Sequence, residues 1–451
     1  MHTPTIARGI LRGMDRMDEI ATTDAAGDAA CEVCRVQLDA VARRIGWIEA
    51  EGLNDGPFLH RFVASGGYCP RHLRQVLGTA EGGRWAVPLR LALHEVGRQT
   101  AAASAGLAFD PCPLCELETW TGEYAVSVLA SGRTPVTGGA RHLGPGAFVC
   151  LRHAAEELLV RPGSAALERL QRALGAASSP ALHRRLAAVA GLDPAGAIRA
   201  PASGSDLGAA DVSAAPALSP AWLRAEVEAD RCPACSAAVA AEKALLQRDR
   251  GPAEVRLCAH HAWDAAWAAP ALVEEVARRA VDGARSWADA HAAGELPLPA
   301  PGIAAWPDGP PARGRRGIVG RLTGRQRAAA AGRPCTVCLA RAAAVGSRLR
   351  LLDSQAEDIS AARAWRGLCV RHLLRAAPET RAAWPLLLAA AHSASGDLER
   401  ALVSGHDPSG GALGAGPAIR DAAACLAGDA VVRDPWYSPE VPGLGPSIWP
   451  L

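Results

Sequence analysis

Apolar positions along the chain recur with a helical period. From Val33 to Glu51, Val36, Val41, Ile45 and Ile48 fall on one stripe, which predicts an amphipathic helix. The turn Asn54-Asp55-Gly56-Pro57 follows, then a short helix around Phe58 to Ala64 that ends at Gly66-Gly67. Further helices are predicted to open at Cys69-Pro70, to run from about Trp85 to Ala103, to continue to about Leu192 and to recur near Ala271 to Ala292. The first segment, Met1 to Gly27, reads as a short amphipathic helix with a polar exit.

Two stretches lose the period. Asp193 to Pro220 is Ala, Pro, Ser, Gly and Asp, and reads as a linker. Leu296 to Gly314 is a second Pro-rich break. The expected organisation is an N-terminal helical domain over 1–195, a linker over 196–218, a C-terminal helical domain over 219–404 broken near 296–314, and an extended Gly/Pro-rich tail over 405–451.

Composition supports helices. Hydrophobic residues make up 49% of the 451 residues, with Ala prominent, while aromatics are only 4%. Ala is the best helix former, whereas β-branched and aromatic residues lead in strands. The predicted fold class is therefore all-α. Trp accounts for 12 of the aromatic residues, and Trp47, Trp85, Trp120, Trp263, Trp267, Trp287, Trp365 and Trp384 fall in predicted helices, where large rings would anchor a core short of aliphatic volume.

A net charge of +2 gives no global attraction to nucleic acid or membrane. The longest aliphatic stretch, Trp384 to Ala391, is far short of the ~20 residues a membrane span needs. No apolar run near the N-terminus resembles a signal-peptide core, so a cytoplasmic location is expected. In such a reducing compartment, 13 cysteines point to metal ligation or thiol chemistry rather than to disulfides.

Twelve of those cysteines sort into four units, each a Cys-x-x-Cys followed by a Cys-x-x-His. In chain order they are Cys31, Cys34, Cys69 and His72; Cys112, Cys115, Cys150 and His153; Cys232, Cys235, Cys258 and His261; and Cys335, Cys338, Cys369 and His372. The gaps between the two halves of a unit are 34, 34, 22 and 30 residues, so the clamps are rigid and their connection varies. Read in chain order, each unit makes one Cys₃His site, a closed set of the structural zinc type.

Pro70, Pro113 and Pro233 fall where a helix would start, a place where a missing N–H costs nothing. Residues at i and i+3 share a helix face, so each clamp offers two ligands to one ion. Arg71, Arg152 and Arg371 directly precede their histidines and are placed to offset the charge of three thiolates. The third unit departs from this pattern, with His260 where the Arg would be. Only Cys425 is left unassigned.

The Cys-Pro-x-Cys that opens a helix and the later Cys-x-Arg-His resemble an uncharacterised family of bacterial proteins of unknown function that carry such repeats. The resemblance covers the ligand motifs and adjoining helices and implies metal binding only.

The sequence thus predicts two similar halves, each with two zinc-centred helical modules and up to four Zn²⁺ per chain in all. The expected role is a scaffold or interaction protein with protein partners and no membrane association. A redox- or metal-responsive zinc–thiolate sensor is the alternative. Nucleic-acid binding through the acid-free run Arg313, Arg315, Arg316, Arg321, Arg325 and Arg327 is a weaker one. No P-loop, nucleophile elbow or His-Glu-x-x-His is present, which leaves an enzyme the least supported class.

Overall fold

The computed structural model of the chain describes residues 30–77, 82–102, 109–132, 143–160 without 145, 163–191, 232–247, 255–257, 261–293 without 264 and 266–268, 335–356, 367–376, 380–404 and 417–427. The N-terminal helix expected before Gly27, the linker, the Pro-rich break, the Arg313 to Arg327 run, Cys258 and the Trp-containing end of the tail lie outside the described residues.

All regular structure among the described residues is helical. The α-helices are α1 Glu32–Ala50, α2 Gly56–Ala64, α3 Pro70–Leu77, α4 Ala86–Ala102, α5 Pro113–Ser131, α6 Leu151–Val160, α7 Ser164–Ala176, α8 Leu182–Ala190, α9 Pro233–Gln247, α10 Pro270–Ala292, α11 Thr336–Ser354, α12 Val370–Ala376, α13 Trp384–Ser404 and α14 Pro417–Ala427. None of them is long and apolar enough to cross a membrane.

The helices that open at a Cys-x-x-Cys pair with one another, α1 with α5 and α9 with α11. Both pairs are antiparallel. Cys31, Val33 and Val36 at the start of α1 share a core with Ala125, Val126 and Leu129 near the end of α5. At the other end, Val41, Ile45 and Ile48 share one with Cys112 and Leu114. In the second pair, Cys232 and Ala234 meet Leu349 and Leu352, while Leu245 and Leu246 meet Cys335 and Val337. At the crossing of α1 and α5, Gln37 Nε2 donates to the Glu118 carbonyl at 3.0 Å. Gly122 makes this approach possible, because a Cβ there would sit 2.3 Å from Gln37 Nε2.

Further cores join the N-terminal and C-terminal parts of the chain. Helix α4 lies along α13, with Leu89, Leu93 and Val96 in one cluster with Leu398 and Leu402. Helix α10 packs on α7 and α8, bringing Ala280, Val281 and Ala284 against the cluster that holds Leu170 and Ala173.

The tail is not extended throughout. Helix α14 occupies Pro417 to Ala427, and its stripe of Ile419, Ala422, Ala423 and Leu426 completes the core around α3, α4 and α12. The surrounding Gly and Pro residues mask that one apolar face in the sequence, and burial of the face is what fixes the helix.

Of the tryptophans expected in the core, Trp85 is fully buried in an aromatic cluster with Phe58, Phe62 and Tyr68. Trp47, Trp263 and Trp384 are half-buried. Trp120 overturns the expectation: it is 63% exposed on α5, stacked on Tyr124 at 5.8 Å. Trp267 and Trp365 lie outside the described residues, as does the side chain of Trp287.

Candidate metal centres

Seven of the eight Cys-led clamps lie among the described residues, and all seven open a helix. Cys31, Cys112 and Cys335 stand at the N-cap of their helices. The carbonyls of Cys31, Cys69, Cys112, Cys150, Cys232, Cys335 and Cys369 each accept the backbone N–H four residues on, at 2.9–3.2 Å. Pro70, Pro113 and Pro233 occupy the first helical position, as their missing N–H allows. The second ligand of each clamp, three residues after the first, then lies on the same face.

These clamps assemble into four groups whose ligand atoms lie within 4.8 Å of one another. The groups are Cys31, Cys34, Cys150 and His153; Cys69, His72, Cys112 and Cys115; Cys232, Cys235, Cys369 and His372; and His261, Cys335 and Cys338. The pairing expected from chain order is therefore incorrect. Cys31 and Cys34 meet Cys150 and His153 rather than Cys69 and His72, and Cys112 and Cys115 meet Cys69 and His72. The C-terminal part repeats the exchange. Along the chain, an inner group nests inside an outer one, twice. The antiparallel pairing of α1 with α5, and of α9 with α11, is the reason: it puts the two Cys-x-x-Cys clamps at opposite ends of a helix pair, and each intervening Cys-x-x-His reaches the far end.

In every group the histidine turns Nδ1 to the sulfurs. His153 Nδ1 is 3.3, 3.5 and 3.4 Å from Sγ of Cys31, Cys34 and Cys150. His72 Nδ1 is 3.3, 3.6 and 3.4 Å from Cys69, Cys112 and Cys115. His372 Nδ1 is 3.5, 3.4 and 3.3 Å from Cys232, Cys235 and Cys369. His261 Nδ1 is 3.5 and 3.3 Å from Cys335 and Cys338. None of the twelve described cysteines forms a disulfide.

One backbone hydrogen bond recurs beside two of the groups. In the first outer group, the N–H after Cys31, that of Glu32, donates to the carbonyl of Phe148, two residues before Cys150, at 2.9 Å. In the second inner group, the N–H after Cys335, that of Thr336, donates to the carbonyl of Arg256, two residues before position 258, at 2.8 Å. The bond has the same place in both. Where the residue after the first cysteine is Pro113, no such N–H exists. The carbonyl it would have met, Gly67, takes the Arg371 guanidinium instead, at 2.9 Å. The Arg before His372 is thus engaged across the fold.

The ionisable groups cannot all be charged at once in so small a volume. Burial works against the Cys31 thiolate, but hydrogen bonds from Cys150 and Cys34 hold its pKa well below the ordinary thiol value. Hydrogen bonding to Cys150 and Cys31, with burial, pushes Cys34 up. Burial also opposes a charged His153, yet the thiolates of Cys150 and Cys31 outweigh it and push the imidazole up to about 10. Cys112 and Cys232 are held low and Cys115 and Cys369 pushed high in the same way. Such sharing of protons among clustered thiolates is what one divalent cation relieves, so the donor set fits a thiolate-loving ion.

The groups differ in what stands behind the histidine. At the first inner group, Arg71 forks onto Glu118, with Nη1 2.9 Å from Oε1, and the Glu118 carboxylate lies 3.8 Å from His72 Nε2. Burial would raise the Glu118 pKa, but Arg71 holds it low. At the second inner group, where position 260 is His, the cation comes from Arg341, three residues after Cys338. It pairs with Glu242 at 3.0 Å, and Glu242 lies 3.8 Å from His261 Nε2. Glu118 holds the corresponding place, three residues after Cys115, so the two inner groups carry the same ion pair with the charges exchanged. Spacing from the cysteines was the signal available in the sequence for Glu118 and Arg341. Glu242, on the neighbouring helix, left none.

The first outer group lacks this support. His153 Nε2 is buried with no hydrogen-bond partner among the described residues. Arg152 turns to Glu156 at 3.2 Å. Gly191 closes the group from the far side. Its φ of +88° and ψ of −175° are essentially restricted to glycine, and a Cβ would sit 2.4 Å from Cys34 Sγ and 3.3 Å from Cys150 Sγ. Its carbonyl accepts from Trp263 Nε1 at 3.1 Å, which links this group to the one holding His261.

No family model matches the chain, and no curated protein or solved structure matches it, so the resemblance to the repeat-bearing bacterial family stands on motif spacing alone.

Proposed function

We propose that the chain is a zinc-binding helical scaffold or interaction protein with four structural Cys₃His centres in two similar halves, working in the cytoplasm and presenting its surface to protein partners. The observation that supports this reading most is the assembly of three complete Cys₃His sets, and three ligands of a fourth, at the ends of two antiparallel helix pairs. Cys31, Cys34, Cys150 and His153 would hold one ion, Cys69, His72, Cys112 and Cys115 a second, and Cys232, Cys235, Cys369 and His372 a third. Cys258 would join His261, Cys335 and Cys338 at the fourth. Four protein ligands close a tetrahedron, the structural rather than the open catalytic arrangement. An ion so held would join segments distant in the chain, 122 residues apart for Cys31 and His153 and 40 for His72 and Cys112, and contribute directly to folding, since structural zinc is worth about 10–16 kcal/mol of apparent binding free energy in small peptides.

Elemental analysis of the purified chain tests the reading. Four zinc ions per chain are expected, with loss of helicity on strong chelation, and fewer than three would sink it.

One observation favours a second reading, a redox- or metal-responsive sensor. Cys69, Cys115 and Cys338, all in the inner groups, are half-buried, whereas the four ligands of the first outer group are buried. Oxidant would reach the inner thiolates first. Peroxide titration separates the two roles: a sensor releases about two ions at low oxidant and takes them back on reduction, whereas a scaffold holds all four until it unfolds.

A further inference from the structure

Beside the first inner group the helices leave a pocket of about 250 Å³, lined by Arg44, Phe58, Arg61, Tyr68, Pro113, Leu114 and Leu117. Its walls are apolar, from Phe58 on α2 and from Pro113, Leu114 and Leu117 in the first turns of α5. Its polar groups are of one kind. Two guanidiniums and a phenol can all donate, and none is a carboxylate, a carbonyl or an amide oxygen of a side chain.

Those donors are not used up within the fold. Arg44 and Arg61 form no ion pair, and no side-chain hydrogen bond is made by either of them or by Tyr68, among the described residues. Two of the three are also held in place. Arg44 lies over the Trp47 ring, 4.2 Å from its centroid, a contact that orders the planar fork. The Tyr68 ring is 1% exposed, edge-on to Phe62 at 4.9 Å and against Trp85 at 5.7 Å, so its hydroxyl is carried on a fixed ring.

We propose that this pocket binds a small organic anion, a carboxylate or phosphate monoester on a short apolar body, with Arg44, Arg61 and the Tyr68 hydroxyl on the anionic head and Phe58, Leu114 and Leu117 against the body. Guanidinium groups recognise carboxylate and phosphate through paired N–H donors, and a mostly apolar pocket with a few convergent polar groups is the ordinary form of a small-ligand site. The volume, just below the ~300–1,000 Å³ range of pockets for drug-sized ligands, suits a single ring or short chain. The inference goes beyond the metal-centre reading and does not depend on which ion the thiolates take.

Calorimetric titration of the purified full-length chain with benzoate, phenyl phosphate and neutral benzamide tests it. Benzoate or phenyl phosphate should bind at least tenfold more tightly than benzamide, and the preferred one of the two identifies the head group. Arg61→Gln, at an exposed position, should weaken that probe about 10- to 100-fold, the range for losing a charge-assisted hydrogen bond. Tyr68→Phe, which keeps the ring, should weaken it by a smaller factor while leaving the circular dichroism and metal content of the chain unchanged. Binding of benzamide as tight as that of the anions, no binding of either anion, or equal affinity in wild type and Arg61→Gln would each overturn the proposal.

Discussion

The two centres that terminate the α1–α5 pair are built from the same residue types and differ in nearly everything around them. The outer group of Cys31, Cys34, Cys150 and His153 is buried on all sides, sealed by Gly191, and leaves His153 Nε2 without a partner among the described residues. The inner group of Cys69, His72, Cys112 and Cys115 is partly open and has Arg71 and Glu118 behind its histidine. Burial and outer-sphere support are thus divided between the two ends of one helix pair. As metal centres, the outer group would depend on exclusion of water and the inner one on Arg71 and Glu118 to orient its histidine.

The largest expected effect separates the nested pairing from the pairing in chain order. Removing two ligands of one centre should cost one ion, and removing one ligand from each of two centres should cost two. Cys31→Ser with His153→Ala is therefore expected to leave three zinc ions per chain, while Cys31→Ser with His72→Ala leaves two, each loss lowering thermal stability by several kcal/mol. Elemental analysis with parallel thermal melts checks this. The reverse ordering of the two counts would restore the chain-order pairing.

Gly191→Ala attacks the seal of the outer centre. The Gly-only conformation costs about 1–3 kcal/mol for another residue, and the added Cβ would overlap Cys34 Sγ. Weaker retention of one ion, with the inner centre unchanged, is expected in a chelator-competition assay.

A smaller change is expected from Glu118→Gln, which keeps the shape but removes the charge facing Arg71 and His72. Loss of outer-sphere partners typically costs 10- to 100-fold in metal affinity. The inner centre should weaken within that range and the outer one should not respond. Glu242→Gln should act the same way on the centre that holds His261. If both substitutions leave all four affinities unchanged, the ion pairs serve packing rather than the ligands.

Helical class and the paired Cys and His positions that the groups draw on were legible because both are local. A stripe such as Val36, Val41, Ile45 and Ile48, or a cysteine pair at i and i+3, is complete within one or two turns. Which clamp meets which was not legible, since it depends on α1 and α5 lying antiparallel, and their contact through Gln37 and Glu118 spans 81 residues of sequence. The same limit hid Glu242, which meets Arg341 and His261 from the neighbouring helix. Helix α14 was hidden for a different reason. Its short apolar face sits in Gly/Pro-rich sequence, and only the core it completes makes the helix stable.

The smallest effect is expected between the two centres, at Trp120. Composition argued that a large ring on an Ala-rich helix should anchor the core, yet Trp120 faces solvent and touches Tyr124 one turn on. An aromatic contact of this kind is worth about 0.5–1.5 kcal/mol beyond burial at most, and exposed substitutions usually stay within ~0.5 kcal/mol. Trp120→Ala should therefore shift the melting temperature by no more than a few degrees and leave all four ions in place. Loss of metal in this variant would mean that the outer face of α5 supports the centres at its ends. Retention would show that the opposite face, through Gln37, Gly122 and the cysteines, is sufficient to hold them.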